Sequence, residues 1–428
     1  MSGDYTTDSN EALHISLVRC KEDTQSLSAD ETNPSFHPTF TYPIYGDDEK
    51  IYGYNDLVVD LKFASGSLHQ YVSVKHSQKI PSSETVDDPE GTLAEFIPPG
   101  YYTKEDEFLA CVERQATEFK PMGELIHSYT RPNPSASGAA PDEPLVFEAY
   151  HARCDTPGFL EYHRRMQLFI LLYIEGGSYI QEDEDTWEFF VLYEKRKRKG
   201  QPNVEAYHFV GYSSLYPFYC FPEKVRMRLS QFVILPPYQR GGHGSELYRA
   251  IYAYTLTHPS ISELTVEDPA EAFEDLRDKN DLLMLFSHSL FMKEAFGSES
   301  AAGISHGGGR VGGVGKGKKS GTGGDQAAKG KGKIGPPVDK KWAERWRVQL
   351  KIAGRQFHRL IEMIILSKLD PLDPHGMKAY RLQVKERLYR FNFETLAQLE
   401  KAERLEKLEE TFQNVIEDYA RILTLVGK

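Results

Sequence analysis

The apolar positions of this chain change period along its length, and the changes divide it. Residues 51–64 and 70–80 read as strands joined by a turn at 64–68, 105–118 as a helix and 145–151 as a strand. A short helix at 158–165 is followed by strands at 168–175, 187–195, 206–215 and 230–235. A glycine-rich turn then opens a helix over 245–257, with Leu247, Ala250, Ile251 and Tyr254 on its inner face. A strand at 261–266 leads into a helix from Pro269. A meander followed by strand, loop, helix and strand predicts an α+β fold built on a mixed sheet with helices on its faces. Residues 297–337 lose nearly all large apolar residues and become Gly/Lys/Ser/Ala-rich, the composition of a disordered insert. Helical spacing resumes at 342–369 and 378–391, and the last segment aligns Leu405, Leu408, Phe412, Val415, Ile416, Tyr419, Ile422 and Leu423 on one stripe. That seam spans barely three heptads, so a packed three-helix unit is expected and not a long coiled coil.

Composition narrows the class. The 428 residues are 40% hydrophobic, 12% aromatic and 27% charged, an ordinary globular balance with length for two or three domains. The longest uncharged apolar run, 168–174, is too short to cross a bilayer, and the polar, acidic first residues predict neither a signal nor a transit peptide. Cys20, Cys111, Cys154 and Cys220 form no CxxC pair. Neither a zinc site nor a disulfide framework is expected, and the compartment is read as reducing, cytosol or nucleus. Formal net charge is −12, yet residues 301–341 hold nine Lys/Arg against two Asp, a local +7 that leaves −19 for the rest. An acidic body of this kind repels nucleic-acid backbones and speeds encounter with basic partners. Within the basic arm, residues 312–320 imitate a phosphate-binding loop, but Lys316 is followed by Gly317 and no strand precedes it, so a nucleotide triphosphatase is not supported.

The stretch 231–248 carries the chemistry. A β-rich run ends at Pro236 and Pro237, and Gln239, Arg240, Gly241, Gly242, His243 and Gly244 lead into a helix. A glycine turn opening a helix presents backbone N–H groups to an anion, with the helix dipole in the favourable sense. The dinucleotide fingerprint is not met, because Gly244 is followed by Ser245, Glu246 and Leu247. Gln239-x-x-Gly242-x-Gly244 instead fits the Q/R-x-x-G-x-G/A loop by which GNAT acetyltransferases hold the pyrophosphate of acetyl-CoA. Downstream, Glu267 and Asp268 sit where a strand meets a helix. Asp268 with Glu271 fits a helix-capping box ahead of Pro269, whereas Glu267 has no such structural role and is well placed as a general base. His243 reads as a turn residue beside the phosphates, and Cys220 as a small buried hydrophobe.

At these residues the chain resembles the type B histone acetyltransferase catalytic subunits, a family of the GNAT superfamily that acetylates the tail of newly made histone H4. The likeness is close over 232–247 and 264–278, and it continues at 45–54 (YGDDEKIYGY), 158–165 (GFLEYHRR) and 211–219 (GYSSLYPFY), in family order. It implies a mixed-sheet GNAT core at 146–296 and an N-terminal α/β histone-binding domain at 13–145. The likeness is looser from Trp342 onward, where a C-terminal helical domain is placed at 341–428; a disordered N-terminus is expected at 1–12, and the insert at 297–340 is not a shared core feature of the family. Carried over, Phe232, Val233 and Ile234 would run beside the pantetheine arm of acetyl-CoA, and Gln239 through Ser245 would wrap its pyrophosphate. Ala270 stands where relatives can carry a polar residue, so any cofactor contact there is through its backbone. Glu267 would be the base, with Asp268 and Glu175 as nearby carboxylates. Asp47, Asp48 and Glu49 match the acidic segment that meets the histone tail, and Tyr216, Pro217 and Phe218 a second tail-contacting segment. The resemblance further implies a WD-repeat histone chaperone subunit and residence in cytoplasm and nucleus. A catalytically silent histone chaperone or acyl-CoA sensor on the same fold is the alternative.

The chemistry explains the residue types. A free lysine with pKa ~10.4 is almost wholly protonated near neutrality, so attack on a thioester needs a base. Partial burial and neighbouring carboxylates are expected to tune that base, and a backbone N–H from 233–235 to stabilise the oxyanion.

Overall fold

The computed structural model describes residues 5–25, 27, 35–81, 86–133, 144–198, 201–297 and 332–428. The chain divides into two compact units, Met1–Asp268 and Pro269–Lys428.

The first unit opens with β1 (Thr6–Asp8), α1 (Ser9–Ala12), β2 (Leu13–Val18), α2 (Lys21–Thr24), α3 (Tyr42–Tyr45), β3 (Lys50–Tyr52), β4 (Tyr54–Asn55), β5 (Val58–Ala64), β6 (Gln70–Lys75) and β7 (Gln78–Lys79). Two helices follow, α4 (Pro89–Ala94) and α5 (Glu105–Glu118). β5 lies parallel to β2 and antiparallel to β6, and its alternate residues Val59, Leu61 and Phe63 are fully buried. The expected disorder of residues 1–12 does not hold for the described residues 5–12. Thr7 pairs with Ile51 across β1 and β3, and the Asp8 carboxylate accepts from the N–H groups of Asn10 and Glu11 to start α1.

The main sheet has six strands: β8 (Glu124–Arg131), β9 (Leu145–Arg153), β10 (Glu188–Arg198), β11 (Gln201–Cys220), β12 (Lys224–Ile234) and β13 (Ile261–Val266). They lie side by side in the order β13-β12-β11-β10-β9-β8, antiparallel except for β12 with β13. Helices α6 (Phe159–Met166) and α7 (Leu168–Tyr173) cover one face and α8 (His243–Thr257) the other. Phe189 packs on Phe159 and His163, while its neighbour Phe190 packs on Tyr254. Burial on both faces explains why β10 is apolar without alternation. The predicted strand at 168–175 is instead helix α7. Leu168, Phe169, Ile170 and Leu172 are all fully buried, and a run apolar on every side shows no period by which helix and strand could be told apart. One apolar cluster runs from Ala12 to Leu235, and β8 is an edge strand of the main sheet, so the separate domain expected at 13–145 merges with the core.

The second unit holds α9 (Glu271–Ser287), α10 (Ser289–Phe296), α11 (Lys340–Gln349), α12 (Gly354–Leu366), α13 (Pro374–Phe391), α14 (Phe393–Leu396) and α15 (Lys401–Leu425). The helices α9 and α10, assigned from sequence to the catalytic core, therefore belong here, and the core ends at Asp268. The single helix expected over 342–369 is two helices. Its buried stripe includes Trp342, Trp346, Phe357, Leu360, Ile361 and Ile364, and from the last segment Leu408, Phe412, Tyr419, Ile422 and Leu423 join the core, while Leu405 is exposed. The described residues begin again at 332, inside the expected insert. The N–H groups of Lys333 and Ile334 donate to the carbonyls of Glu294 and Ala295, and a Cβ on Gly332 would collide with the Ala295 carbonyl oxygen. The remainder of the insert, with its phosphate-loop look-alike, lies outside the described residues.

Candidate active site

The site begins where two strands part. β12 pairs with β11 out to Gly211 opposite Ile234, but its parallel pairing with β13 stops at Leu229 opposite Val266. The Glu267 N–H still donates to the Leu229 carbonyl at 3.0 Å; then the backbone turns at Asp268, which has a positive φ of 30°, and Pro269 follows. Among the described residues no strand continues the ladder beside Ser230–Ile234 on that side. This segment includes the predicted Phe232, Val233 and Ile234, opposite Ser213, Tyr212 and Gly211 respectively. The Val233 side chain is buried in the core, and its backbone faces Tyr212 of β11. The Leu235 N–H already donates to the Val210 carbonyl at 3.0 Å, which removes it from the expected oxyanion donors.

β12 runs directly into the glycine loop. After a 3-10 turn at Pro236–Tyr238, Gln239, Arg240, Gly241 and Gly242 are exposed. Arg240 and Gly242 adopt positive φ of 61° and 79°, and α8 starts at His243. Gly242 at the N-cap offers no side chain, so the first turn, which includes Gly244 and Ser245, has no side-chain cap and its N–H dipoles face an open loop. Gln239 does not reach into the loop. Its amide donates to the Ile234 carbonyl at 2.9 Å and ties the loop back to β12.

The His243 side chain departs from expectation by lying beneath the loop. Its Nδ1 is 2.7 Å from the Tyr129 hydroxyl, and its ring centroid is 4.4 Å from that of Phe147. Burial, aided by the Arg131 cation, pushes its pKa down to about 4, so it is a neutral anchor and its side chain is not a phosphate ligand. Arg131, unnoticed in the sequence, braces the loop from β8. Its Nε donates to the Gly241 carbonyl at 3.2 Å, and its Nη2 donates to Glu246 at 3.0 Å. No sequence signal links residue 131 to 241; the crossing of α8 over the sheet does.

At the other end of the gap, Glu267 is exposed and pairs with Arg228, Nη2 to Oε1 at 3.2 Å. The neighbouring carboxylates expected to tune it are thus accompanied by a cation in direct contact. Asp268 is exposed and does not cap α9, whose N-cap is Ala270 in the second unit; the turn at Asp268 precludes the capping box. Arg228 stacks on Phe218, its guanidinium carbon 4.2 Å from the ring centroid. Phe218 lies 4.7 Å from Tyr216, and Tyr216 lies 5.0 Å from Trp187, so Tyr216 and Phe218 on β11 join Glu267 through one arginine, while Pro217 between them points to the other face of the strand. The alternation Arg226, Arg228 on β12 against Glu263, Glu267 was the sequence signal for this pairing.

Glu175 is tethered to the same region. The Gly176 N–H donates to the Tyr42 hydroxyl at 2.7 Å, and the Gln231 amide of β12 donates to the Ser178 carbonyl at 2.8 Å. Tyr42 begins the short helix that leads into the turn of Asp47 and Asp48, both exposed. Glu49 is different. Its Oε1 accepts from the N–H groups of Thr41 at 2.7 Å and Tyr42 at 3.1 Å, which holds its carboxyl below the usual range and spends it on the loop instead of on a ligand.

Comparison with known proteins identifies the chain. Residues 5–175 match the family described as Histone acetyl transferase HAT1 N-terminus, and residues 326–370 match Fungal HAT1, C-terminal. The histone acetyltransferase type B catalytic subunit of Cryptococcus neoformans var. neoformans serotype D is 46% identical, covering 98% of this chain and 97% of its own. That of Mycosarcoma maydis is 42% identical over 91% of this chain and 83% of its own, and that of Mus musculus 29% over 98% and 94%. The chain belongs to the histone acetyltransferase type B catalytic subunit family. It is an acyltransferase of the α+β class, with a mixed-sheet core and a helical C-terminal unit. A solved aminoglycoside acetyltransferase from an uncultured soil metagenomic sample is 13% identical, covers 40% of this chain and 97% of its own, and has a TM-score of 0.21. Among the described residues no cluster of His, Cys, Asp and Glu could hold a metal ion, and no helix is long and apolar enough to cross a membrane.

Proposed function

We propose that this protein transfers acetyl from acetyl-CoA to lysines in the N-terminal tail of free, newly synthesised histone H4, by direct attack with Glu267 as general base. The observation that carries this reading is the gap beside Ser230–Ile234, which has an accessible carboxylate at one end and an uncapped glycine loop at the other.

The residues suit acetyl-CoA. Its pyrophosphate would rest on the glycine turn at Gly241–Gly244 that opens α8, and its amide-bearing arm would run along β12 beside the gap. Once bound, it supplies an activated acyl carbon. Glu267 would accept the proton of the lysine amine as the C–N bond forms, directly or through one water; the C–S bond then breaks and coenzyme A would leave as the thiolate, taking up a proton from Glu267 or from solvent. With Leu235 bonded to Val210, and Val233 facing Tyr212 on the same side of the antiparallel ladder, the donor for the developing oxyanion would be the Ile234 N–H. Asp47, Asp48 and Glu175 would draw in the cationic tail, while Tyr216 and Phe218 would flank the methylene stem of the lysine. Glu49 acts by shaping that turn.

The same reading gives the enzyme a WD-repeat histone chaperone subunit as partner and a working range in both cytoplasm and nucleus; co-purification and fractionation test these. The central test is transfer of labelled acetyl to a histone H4 tail peptide by the full-length protein. Activity abolished by Glu267→Gln is expected. Retention of full activity in that variant overturns the assignment of the base, and absence of transfer in the parent protein favours a silent chaperone.

A further inference from the structure

We propose that Arg228 is a positioning residue for the base, fixing the Glu267 carboxylate at the end of β13 and coupling it to the aromatic strand of the tail site. The inference rests on the reading of Glu267 given above.

Three observations carry it. The guanidinium reaches the carboxylate at 3.2 Å from the adjacent strand, diagonally past Thr265, its register partner. Its plane is occupied by Phe218 at 4.2 Å, and Phe218 belongs to an edge-on aromatic series with Tyr216 and Trp187. Its Nε is buried without a hydrogen-bond partner, so the group gives up solvation in order to hold this position. The neighbouring pair, Arg226 with Glu263, provides the contrast. There the arginine is 52% exposed, against 35% for Arg228, and it stacks on no ring among those described. An exposed ion pair is ordinarily worth little, because two long side chains must be ordered in water; a guanidinium already immobilised on an aromatic ring loses less on pairing.

The arrangement has a functional consequence. A carboxylate on a mobile side chain samples many orientations, whereas an amine attacking a thioester must meet its base within hydrogen-bond reach. Arg228 occupies one oxygen, Oε1, and leaves Oε2 for the proton. Because the same guanidinium lies on Phe218, a tail that packs against Phe218 and Tyr216 presses on the group that aims the base. Tail binding and base alignment thereby become one event. The charged groups that the structure sets beside Glu267 are Arg228 from β12 and, on its own segment, Asp268 and the Arg226-paired Glu263.

The test measures kcat and KM for full-length Arg228→Gln, Arg228→Lys, Phe218→Leu and Glu267→Gln, with acetyl-CoA and a histone H4 tail peptide. Arg228→Gln is expected to lower kcat roughly tenfold while KM for acetyl-CoA holds. Arg228→Lys restores only part of kcat, because an ammonium retains the charge and loses the planar stack. Phe218→Leu lowers kcat while KM for acetyl-CoA holds. In Glu267→Gln, further change of Arg228 to Gln has no additional effect. Wild-type kcat in Arg228→Gln, or additive losses in the double variant, overturns the proposal while the base assignment stands. An active Glu267→Gln overturns the base assignment itself. Should Arg228→Gln fail to fold, Arg228→Lys and Phe218→Leu carry the test, and wild-type kcat in both overturns the proposal.

Discussion

Carboxylates serve the two units of this chain in opposite ways. In the core of the helical unit two are buried and committed. Glu362, with 3% of its side chain exposed, accepts both bonds of Arg387 Nε, at 2.9 and 3.0 Å, and a third from the Tyr419 hydroxyl at 2.8 Å. Asp278 holds Arg359 at 2.7 Å and the Gln356 amide at 2.8 Å. In the first unit, by contrast, Asp47, Asp48, Glu175 and, at the gap in the main sheet, Glu267 stand exposed. The first unit also contains the buried kind: Glu194, fully enclosed with Arg19, Arg196 and the Tyr238 hydroxyl, is held far below the usual carboxylate range. The difference teaches what each group can do. A buried charge must be permanently compensated, and a compensated charge cannot accept a proton or a basic tail.

The comparison can be broken most sharply at its two extremes. Glu267→Gln should lower kcat by about 10²–10⁴-fold, the usual worth of a positioned base, with the urea unfolding midpoint unchanged. Glu362→Ala should do the reverse to stability. It strands Arg387 in the helical core and is expected to cost about 3–5 kcal/mol, read from urea unfolding. Equal effects of the two on stability would erase the distinction.

A smaller effect concerns the buried histidine under the loop. The pKa of His243 falls from 6.5 to about 4 in the folded state, so between these values the unfolded chain binds the proton and the folded one does not. Stability is therefore fully present above about pH 6.5 and is lost as pH falls toward 4, at no more than about 1.4 kcal/mol per pH unit. His243→Gln should flatten that part of the profile, leaving the similar contributions of His163 and His208, both pushed by burial to about 3. An unchanged slope between pH 4 and 6.5 would show that His243 is not buried neutral. The smallest effect is expected at the acidic turn. Asp47→Asn with Asp48→Asn should raise KM for the tail peptide roughly 2–5-fold at low salt, fading as ionic strength rises, as exposed charges do. Glu49→Gln should instead lower the melting temperature with little change in KM, because its partners are the N–H groups of Thr41 and Tyr42.

Much of the architecture was legible because it is written in local patterns. The glycine loop between β12 and α8, the strand ending at Glu267 and the amphipathic stripe of α15 each follow from spacing alone. The errors share a cause. At Leu168–Tyr173 every side chain is buried, so the period that separates helix from strand vanished. At Asp268 a capping motif was present in the sequence, but the backbone turn with positive φ moved the cap to Ala270. Residues 1–12 were expected to be disordered, yet β1 finds its partner more than forty residues away in β3.

By itself, then, the order of residues determined which segments carry chemistry: a glycine turn before a helix, a carboxylate at a strand end, an acidic turn. Those are short-range properties, set by backbone conformation and side-chain type within a few positions. Only the tertiary structure decided which of these groups stay available. Glu49 is consumed by two backbone amides, His243 is folded beneath the loop it was expected to line, and Arg228 and Arg131 arrive from other strands to hold Glu267 and Gly241. Pairing across a sheet joins residues that are distant in the chain, and no local pattern contains that information.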